Sequence, residues 1–306
     1  MPSLTEFFGY TVTNLGPLTT TYTPPPACTT ETTDHVIFAN KTSLEFQFGA
    51  PTCGIQSVGK CFPSGAAYDD FLNNYWKSPK QGSQNYFSPG VVCPKGWTTA
   101  GTLAHGDKTG SAERSGLFTK DPWENYPSEY AKHQLAPDSI WLDILDPSET
   151  LAYCCPSGWT GGIWGGCFTS IESFDLSKYP TRCIRVYPDE AVVTVNTVEG
   201  TRVSEGIMSI ATVTNKYTQL TQALTSIEPE ASELKEIAVA RVLPAVPLVY
   251  RDSDVKAAKD GDDGKDDDKD GDDSNGASKL LAAQGLGPLV AVVAGLLTGA
   301  GLLMPW

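Results

Sequence analysis

Cys154-Cys155-Pro156-Ser157-Gly158-Trp159-Thr160 echoes an earlier stretch, Cys93-Pro94-Lys95-Gly96-Trp97-Thr98-Thr99. In each copy a proline restricts one dihedral and a glycine supplies a positive φ, so each reads as a tight turn that presents a tryptophan beside a cysteine. Both read as disulfide-pinned turns. The eight cysteines (Cys28, Cys53, Cys61, Cys93, Cys154, Cys155, Cys167 and Cys183) all fall in the first 183 of 306 residues, in a stretch rich in Gly, Pro and Thr. An even number so placed predicts four disulfides and an oxidising compartment. Adjacent Cys154 and Cys155 take different partners on this reading, while the rest of the connectivity stays open. The interval from Cys53 to Cys61 reads as a short closed loop. Zinc is the competing use of cysteine, but there is no C-x2-C pair, and His35, His105 and His133 have no ligand spacing to any cysteine.

Outward from the two turns, the pattern predicts a mainly β fold: a small, disulfide-braced extracellular region with little helix. β-branched runs at 191–198, 207–214 and 237–250 argue for strands. Apolar residues at Tyr68, Phe71, Leu72, Tyr75 and Trp76 recur with helical spacing, so a short amphipathic helix is expected over 64–76, ending near Pro79. Residues 101–148 are polar and scattered with Pro, Gly and aromatics, and read as a long insertion with little regular structure, with a helical turn at 131–135. A helical turn or two is also expected within 219–236. The segments are 1–183, cysteine-rich; 184–254, cysteine-free and β-rich; 255–278, a disordered acidic linker; and 279–306, a hydrophobic C-terminal helix. The folded part is read either as one braced unit or as two halves meeting near Cys183.

The net charge of −14 is unevenly placed. Residues 260–273 hold nine Asp and two Lys, so half of the charge lies in the linker, where self-repulsion favours an extended chain. Asp266-Asp267-Asp268-Lys269-Asp270-Gly271 opens like a calcium loop, but its twelfth position is Ala277 rather than a bidentate Glu, which makes it a solvated spacer. No run of Lys and Arg exists to neutralise phosphates, so nucleic acid is excluded as a partner.

The last 21 residues are uncharged and about as long as a bilayer-spanning helix needs to be. No basic residues follow them, and Ser274-Asn275-Gly276-Ala277-Ser278 precedes them with small side chains and a spacer, the pattern of a GPI-attachment signal with Asn275 as the attachment residue. A retained transmembrane helix is the alternative; either makes the membrane a partner. Residues 1–10 contain Glu6 and no apolar run of the kind a secretory leader shows, which leaves two expectations: a leader upstream, or a reversed C-terminal anchor.

Four pieces, Asn14-Leu15-Gly16-Pro17-Leu18, Tyr86-Phe87-Ser88-Pro89-Gly90-Val91-Val92-Cys93, Cys154-Cys155-Pro156-Ser157-Gly158-Trp159 and Val246-Pro247-Leu248-Val249-Tyr250, resemble signature segments of uncharacterised cysteine-rich, membrane-anchored surface proteins of filamentous ascomycete fungi. The resemblance is scattered over residues 14–254. Members commonly carry another cysteine after each turn, where this chain has Gly101 and Gly161-Gly162, so no pairing transfers. The resemblance implies a plasma-membrane or cell-wall location more than an activity.

G-x-S-x-G, H-E-x-x-H, dinucleotide and phosphate-loop motifs are all missing, and no metal or cofactor is expected. The acidic pairs Asp69/Asp70 and Asp143/Asp146 are the only feature pointing toward a hydrolase. The chain therefore reads as a non-enzymatic cell-surface protein with a wall, adhesion or sensing role. The alternative is a carbohydrate-binding module in which Trp97, Trp159 or Trp164 stacks on sugars of a wall polysaccharide. Burial against a disulfide is the plain use of the same tryptophans. Asn40-Lys41-Thr42 is an N-glycosylation sequon, and the Thr- and Pro-rich stretch 18–33 reads as extended or polyproline chain open to O-glycosylation.

Overall fold

The structure is a computed structural model that describes residues 1–28, 35–53, 57–77, 82–106, 112–124, 134–186, 192–198, 200–210, 218–224 and 235–262. Most of the expected acidic linker, Asn275 and the hydrophobic C-terminal segment lie outside the described residues. Within them, no helix is long and apolar enough to cross a membrane. The fold is mainly β. Its first strands are β1 (Glu6–Phe7), β2 (Tyr10–Asn14), β3 (Val36–Asn40), β4 (Gln47–Gly49) and β5 (Gly82–Tyr86). Next come β6 (Trp97–Ala104), β7 (Glu113–Arg114), β8 (Thr150–Pro156), β9 (Thr160–Gly161) and β10 (Gly166–Ser173). The remainder are β11 (Thr181–Val186), β12 (Val192–Val198), β13 (Thr201–Ile210), β14 (Thr218–Ala223), β15 (Ile237–Pro244) and β16 (Val246–Tyr250). The α-helices among the described residues are α1 (Gly65–Lys77), α2 (Pro137–Ile144) and α3 (Asp252–Asp262).

Strand β8 is the centre of the molecule. It lies between β6 and β16 in a sheet ordered β16-β8-β6-β7, and its five inner residues are all buried. Successive side chains of a strand point to opposite faces, and here both faces are covered. Leu151, Tyr153 and Cys155 join one apolar cluster with Ile140, Trp141 and Ile144 of α2; Ala152 and Cys154 join another with Val58, Phe62, Phe87 and Leu248. The adjacent cysteines must therefore find different partners: Cys154 bonds Cys93, and Cys155 bonds Cys167. On the first face Trp141 Nε1–H donates to Tyr153 Oη at 2.6 Å, which satisfies both polar atoms where water cannot.

The other two disulfides are Cys28–Cys61 and Cys53–Cys183. Cys53 and Cys61 thus do not close a loop on each other, correcting that expectation. Each instead ties its end of the 53–61 interval to a distant segment.

A second sheet is ordered β4-β3-β15-β10-β9. Strand β15 pairs with β3 and β10 at its centre, and β16 pairs with β8. Both come from the cysteine-free stretch, so the sheets cross position 183 and residues 184–254 are not a separate unit. Their alternating Ile, Ala and Val residues have apolar neighbours on both sides only inside the cysteine-rich part. Pro247 lies on the edge of β16 away from β8, where Leu248 makes a bridge to Phe87 and the Pro247 carbonyl accepts the Phe87 N–H at 2.9 Å, so its missing N–H costs no bond to β8. A three-stranded sheet ordered β1-β2-β5 and the two-stranded antiparallel pairs β11–β14 and β12–β13 make up the other sheets among the described residues.

Two further expectations change. Residues 101–148 are not a loose insertion: they supply Leu103, Leu117, Phe118, Ile140, Trp141, Ile144 and Leu145 to the core, because α2 gathers three of its apolar residues onto one buried face. Residues 218–223 form strand β14, pairing residue by residue with β11, while most of the rest of the 219–236 stretch, where a helical turn or two is expected, lies outside the described residues. The extended linker does not begin at Val255, since α3 runs to Asp262 and buries Val255 in the second cluster. Asp252 and Asp254 sit in its first turn, where the helix dipole favours them, and Asp254 Oδ2 accepts the Arg251 N–H at 2.8 Å. Helix α1 forms where its apolar spacing predicts.

Candidate functional site

The two echoed segments form the same turn. Trp97 N–H donates to the Pro94 carbonyl at 3.0 Å, and Trp159 N–H donates to the Pro156 carbonyl at 3.0 Å. Gly96 (φ 80°) and Gly158 (φ 83°) occupy the third position of each turn, where a positive φ is required. The first turn leads into β6 and the second leads out of β8. These strands are antiparallel with Trp97 opposite Pro156, so both turns emerge at the same end of the sheet, and Ser157 N–H donates to the Gly96 carbonyl at 2.9 Å. Cys93–Cys154 and Cys155–Cys167 anchor the cysteine that begins each motif. Glycine at 101 and 161 is set by close approach: a Cβ there would meet the 115–117 backbone at 2.7 Å and Ala100 Cβ at 2.7 Å.

Trp97 and Trp159 line one cleft of about 760 Å³, within the range of small-ligand sites. Both rings are half-buried. Trp97 rests edge-on against Phe62, with centroids 6.3 Å apart, and Phe62 in turn meets Tyr68 of α1 at 5.0 Å. Burial, with a smaller push from Asp69, raises the Tyr68 phenol far above its usual range, so it stays neutral beneath the cleft. The remaining walls are the proline run Pro24, Pro25 and Pro26, the turn around Gly59 and the Cys28–Cys61 disulfide.

Asp69 shapes the turn around Gly59. Its carboxylate accepts the N–H groups of Val58 (2.8 Å) and Gly59 (2.9 Å) and the Ser57 hydroxyl. Tyr22 then joins two walls: its hydroxyl donates to the Lys60 carbonyl at 2.5 Å, and its carbonyl accepts the Lys95 N–H at 2.8 Å. His35 and Ser57 both line the cleft; the Ser57 hydroxyl is given to Asp69, and His35 Nε2 meets the Ser57 carbonyl oxygen at 3.1 Å. Among the described residues, no three His, Cys, Asp or Glu side chains gather as metal ligands.

The structure separates the other sequence candidates. Trp164 is 41% exposed, lies outside the cleft lining, and packs edge-to-face on Trp123 at 5.4 Å. Asn40 caps the β3–β4 connection: its Oδ1 accepts from Thr42 N–H (2.8 Å), Thr42 Oγ1 (2.7 Å) and Ser43 N–H (3.2 Å). Of the acidic pairs, Asp69 is held by three donors, and Asp146 pairs with Arg251 at 3.3 Å. Sequence reasoning missed Lys60, Lys95, Phe62 and the proline run as cleft residues. Lys95 lies inside the echoed motif and was open to notice; the others arrive through Cys28–Cys61.

Comparison with protein-family models, with curated proteins and with solved structures finds no match to this chain.

Proposed function

We propose that this chain is a non-enzymatic cell-surface protein whose disulfide-braced head binds a wall polysaccharide in the cleft between its two echoed turns. One observation carries the reading: Trp97 and Trp159, from motifs far apart in sequence, line the same cleft with part of each ring exposed. An indole offers an apolar face suited to a sugar ring and an N–H for a hydroxyl. A binding role is supported by the Ser57 hydroxyl, which is given to Asp69 and so holds the cleft wall together. Four disulfides are consistent with an extracellular or cell-surface location.

Covering about 80 Å² of an indole face contributes about 2 kcal/mol, or about 30-fold in affinity. Glycan-array binding by the folded chain should therefore fall by about that factor in Trp159→Ala and in Trp97→Ala. Binding that survives both substitutions sinks the stacking reading. No binding to any polysaccharide would leave a purely structural wall or adhesion role, the second reading, which the exposed Trp164, packed on half-buried Trp123, favours as a contact surface. Anchorage by a GPI group at Asn275 belongs to the same proposal. Phosphatidylinositol-specific phospholipase should release the head from intact cells, whereas a resistant product still containing residues 289–306 would establish a retained helix.

A further inference from the structure

We infer that the cleft selects an anionic saccharide, one bearing carboxylate or sulfate groups; this rests on the glycan-binding reading above and specifies its substrate class. The chain as a whole has 36 acidic side chains against 22 basic ones. Among the described residues the cleft inverts that balance: Lys60, Lys95 and His35 line it, and no described Asp or Glu does. Lys60 and Lys95 are exposed, and neither takes part in an ion pair among the described residues. Arg114, Lys178 and Arg251, by contrast, each face a carboxylate, on Asp138, Glu172 and Asp146 respectively.

The two lysines are also positioned by the fold. Lys60 is held through its carbonyl by the Tyr22 hydroxyl, and Lys95 through its N–H by the Tyr22 carbonyl, so one tyrosine spaces the two backbones. The cleft's aromatic surface, Trp97 and Phe62, lies with them. The carboxylate behind this wall, Asp69, is turned to the backbone of Val58 and Gly59 and to Ser57. A low-dielectric groove lined by one sign of charge focuses its field on the entering ligand, and lysine meets a carboxylate or sulfate as a compact point charge. Aromatic faces for the rings and cations for the acidic groups together match an acidic oligosaccharide.

The test is calorimetric titration of the full chain with two matched pairs of probes. One pair is oligogalacturonate and its methyl ester, which keeps the sugar backbone and removes the charge; the other is dextran sulfate and dextran. Polyaspartate serves as a non-sugar anion. The inference expects the charged member of at least one pair to bind about two- to thirtyfold more tightly than its neutral partner, with the difference shrinking in high salt and disappearing in Lys60→Gln/Lys95→Gln. Equal or tighter binding of the neutral partners, still dependent on Trp159, overturns the charge preference and leaves glycan binding standing. Polyaspartate binding more tightly than both acidic sugars overturns the saccharide assignment. Absence of binding to all five probes overturns this inference, while Trp159-dependent binding of another neutral glycan would preserve the broader reading.

Discussion

Replacing Cys53 and Cys183 with alanine opens the longest crosslinked interval, 130 residues. In the unfolded state that interval is already short-circuited, because Cys93–Cys154 and Cys155–Cys167 lie within it and leave about 60 residues of free contour. Loop-closure entropy then puts the loss at about 4 kcal/mol, where an unbridged loop would give about 5. For the Cys155–Cys167 bond, with a separation of 12, the same relation gives about 3 kcal/mol. Burial works in the opposite direction. Cys155 and Cys167 are 1% and 0% exposed, whereas the long-loop pair buries only Cys183, at 7%, and leaves Cys53 exposed. Truncating two sealed sulfurs adds about 1 kcal/mol apiece in lost transfer and cavity terms. The Cys155→Ala/Cys167→Ala variant should therefore lose about 5 kcal/mol, as much as the long-loop variant or more, despite a loop ten times shorter. Guanidinium unfolding followed by tryptophan fluorescence measures both, with m rising in each because the unfolded state expands. A short-loop variant that loses at least about 1.5 kcal/mol less than Cys53→Ala/Cys183→Ala would refute the reasoning and leave loop length in control.

The remaining predictions concern single contacts. Tyr153→Phe strands the Trp141 indole N–H in the core and should cost about 1–3 kcal/mol; Trp141→Phe should cost at least as much, and the double variant clearly less than the sum, as a denaturation double-mutant cycle would show. Burial raises the Glu45 carboxyl above its ordinary value of 4.5, outweighing the opposing pulls of Lys120 and the Ile163 N–H. Its contribution is therefore full below about pH 4.5 and is lost as pH rises through the folded-state value, so Glu45→Gln should gain stability relative to the parent between pH 4 and 7. Melting curves in which that variant instead loses ground toward pH 7 would mean that the Lys120 attraction dominates. Expressed in a secretory host, the chain should lose mass on peptide-N-glycosidase treatment, and Thr42→Ala should abolish the shift by removing the hydroxyl that meets Asn40. An unchanged shift in that variant would place the glycan elsewhere.

What was legible in the sequence followed from local chemistry. The helix at Gly65–Lys77 declared itself by apolar spacing, and the strands at Val192–Val198 and Ile237–Pro244 by their β-branched residues. The separate fates of Cys154 and Cys155 followed from their adjacency. Long-range burial was not legible. Residues 101–148 are polar on average, yet α2 needs only Ile140, Trp141 and Ile144 on one face to become part of the core, and three residues disappear in the average of a long window. The same holds for β14, whose Gln219, Leu220 and Thr221 are exposed and whose strand state depends on β11 as partner.

The cleft lies between these cases. Each C-P-x-G-W motif could be read as a turn, but nothing in either copy says that the two turns meet. That depends on direction. The first motif is followed by Thr98, Thr99 and Ala100 and so opens a strand, while the second is preceded by Leu151, Ala152 and Tyr153 and so closes one. If these two strands pair antiparallel, the start of one must lie beside the end of the other, and the tryptophans are brought to one end of the sheet. The Cys93–Cys154 bond expresses the same geometry covalently, joining a residue just before β6 to one near the end of β8. Third-wall residues could not be reached this way, because Lys60 enters only through Cys28–Cys61 and the Tyr22 contacts, which no repeat or periodicity encodes. The aromatic half of the cleft thus follows from one antiparallel pairing and one echoed motif. Its cationic half comes in part from Lys95 of the same motif and in part from a disulfide that only the folded chain reveals.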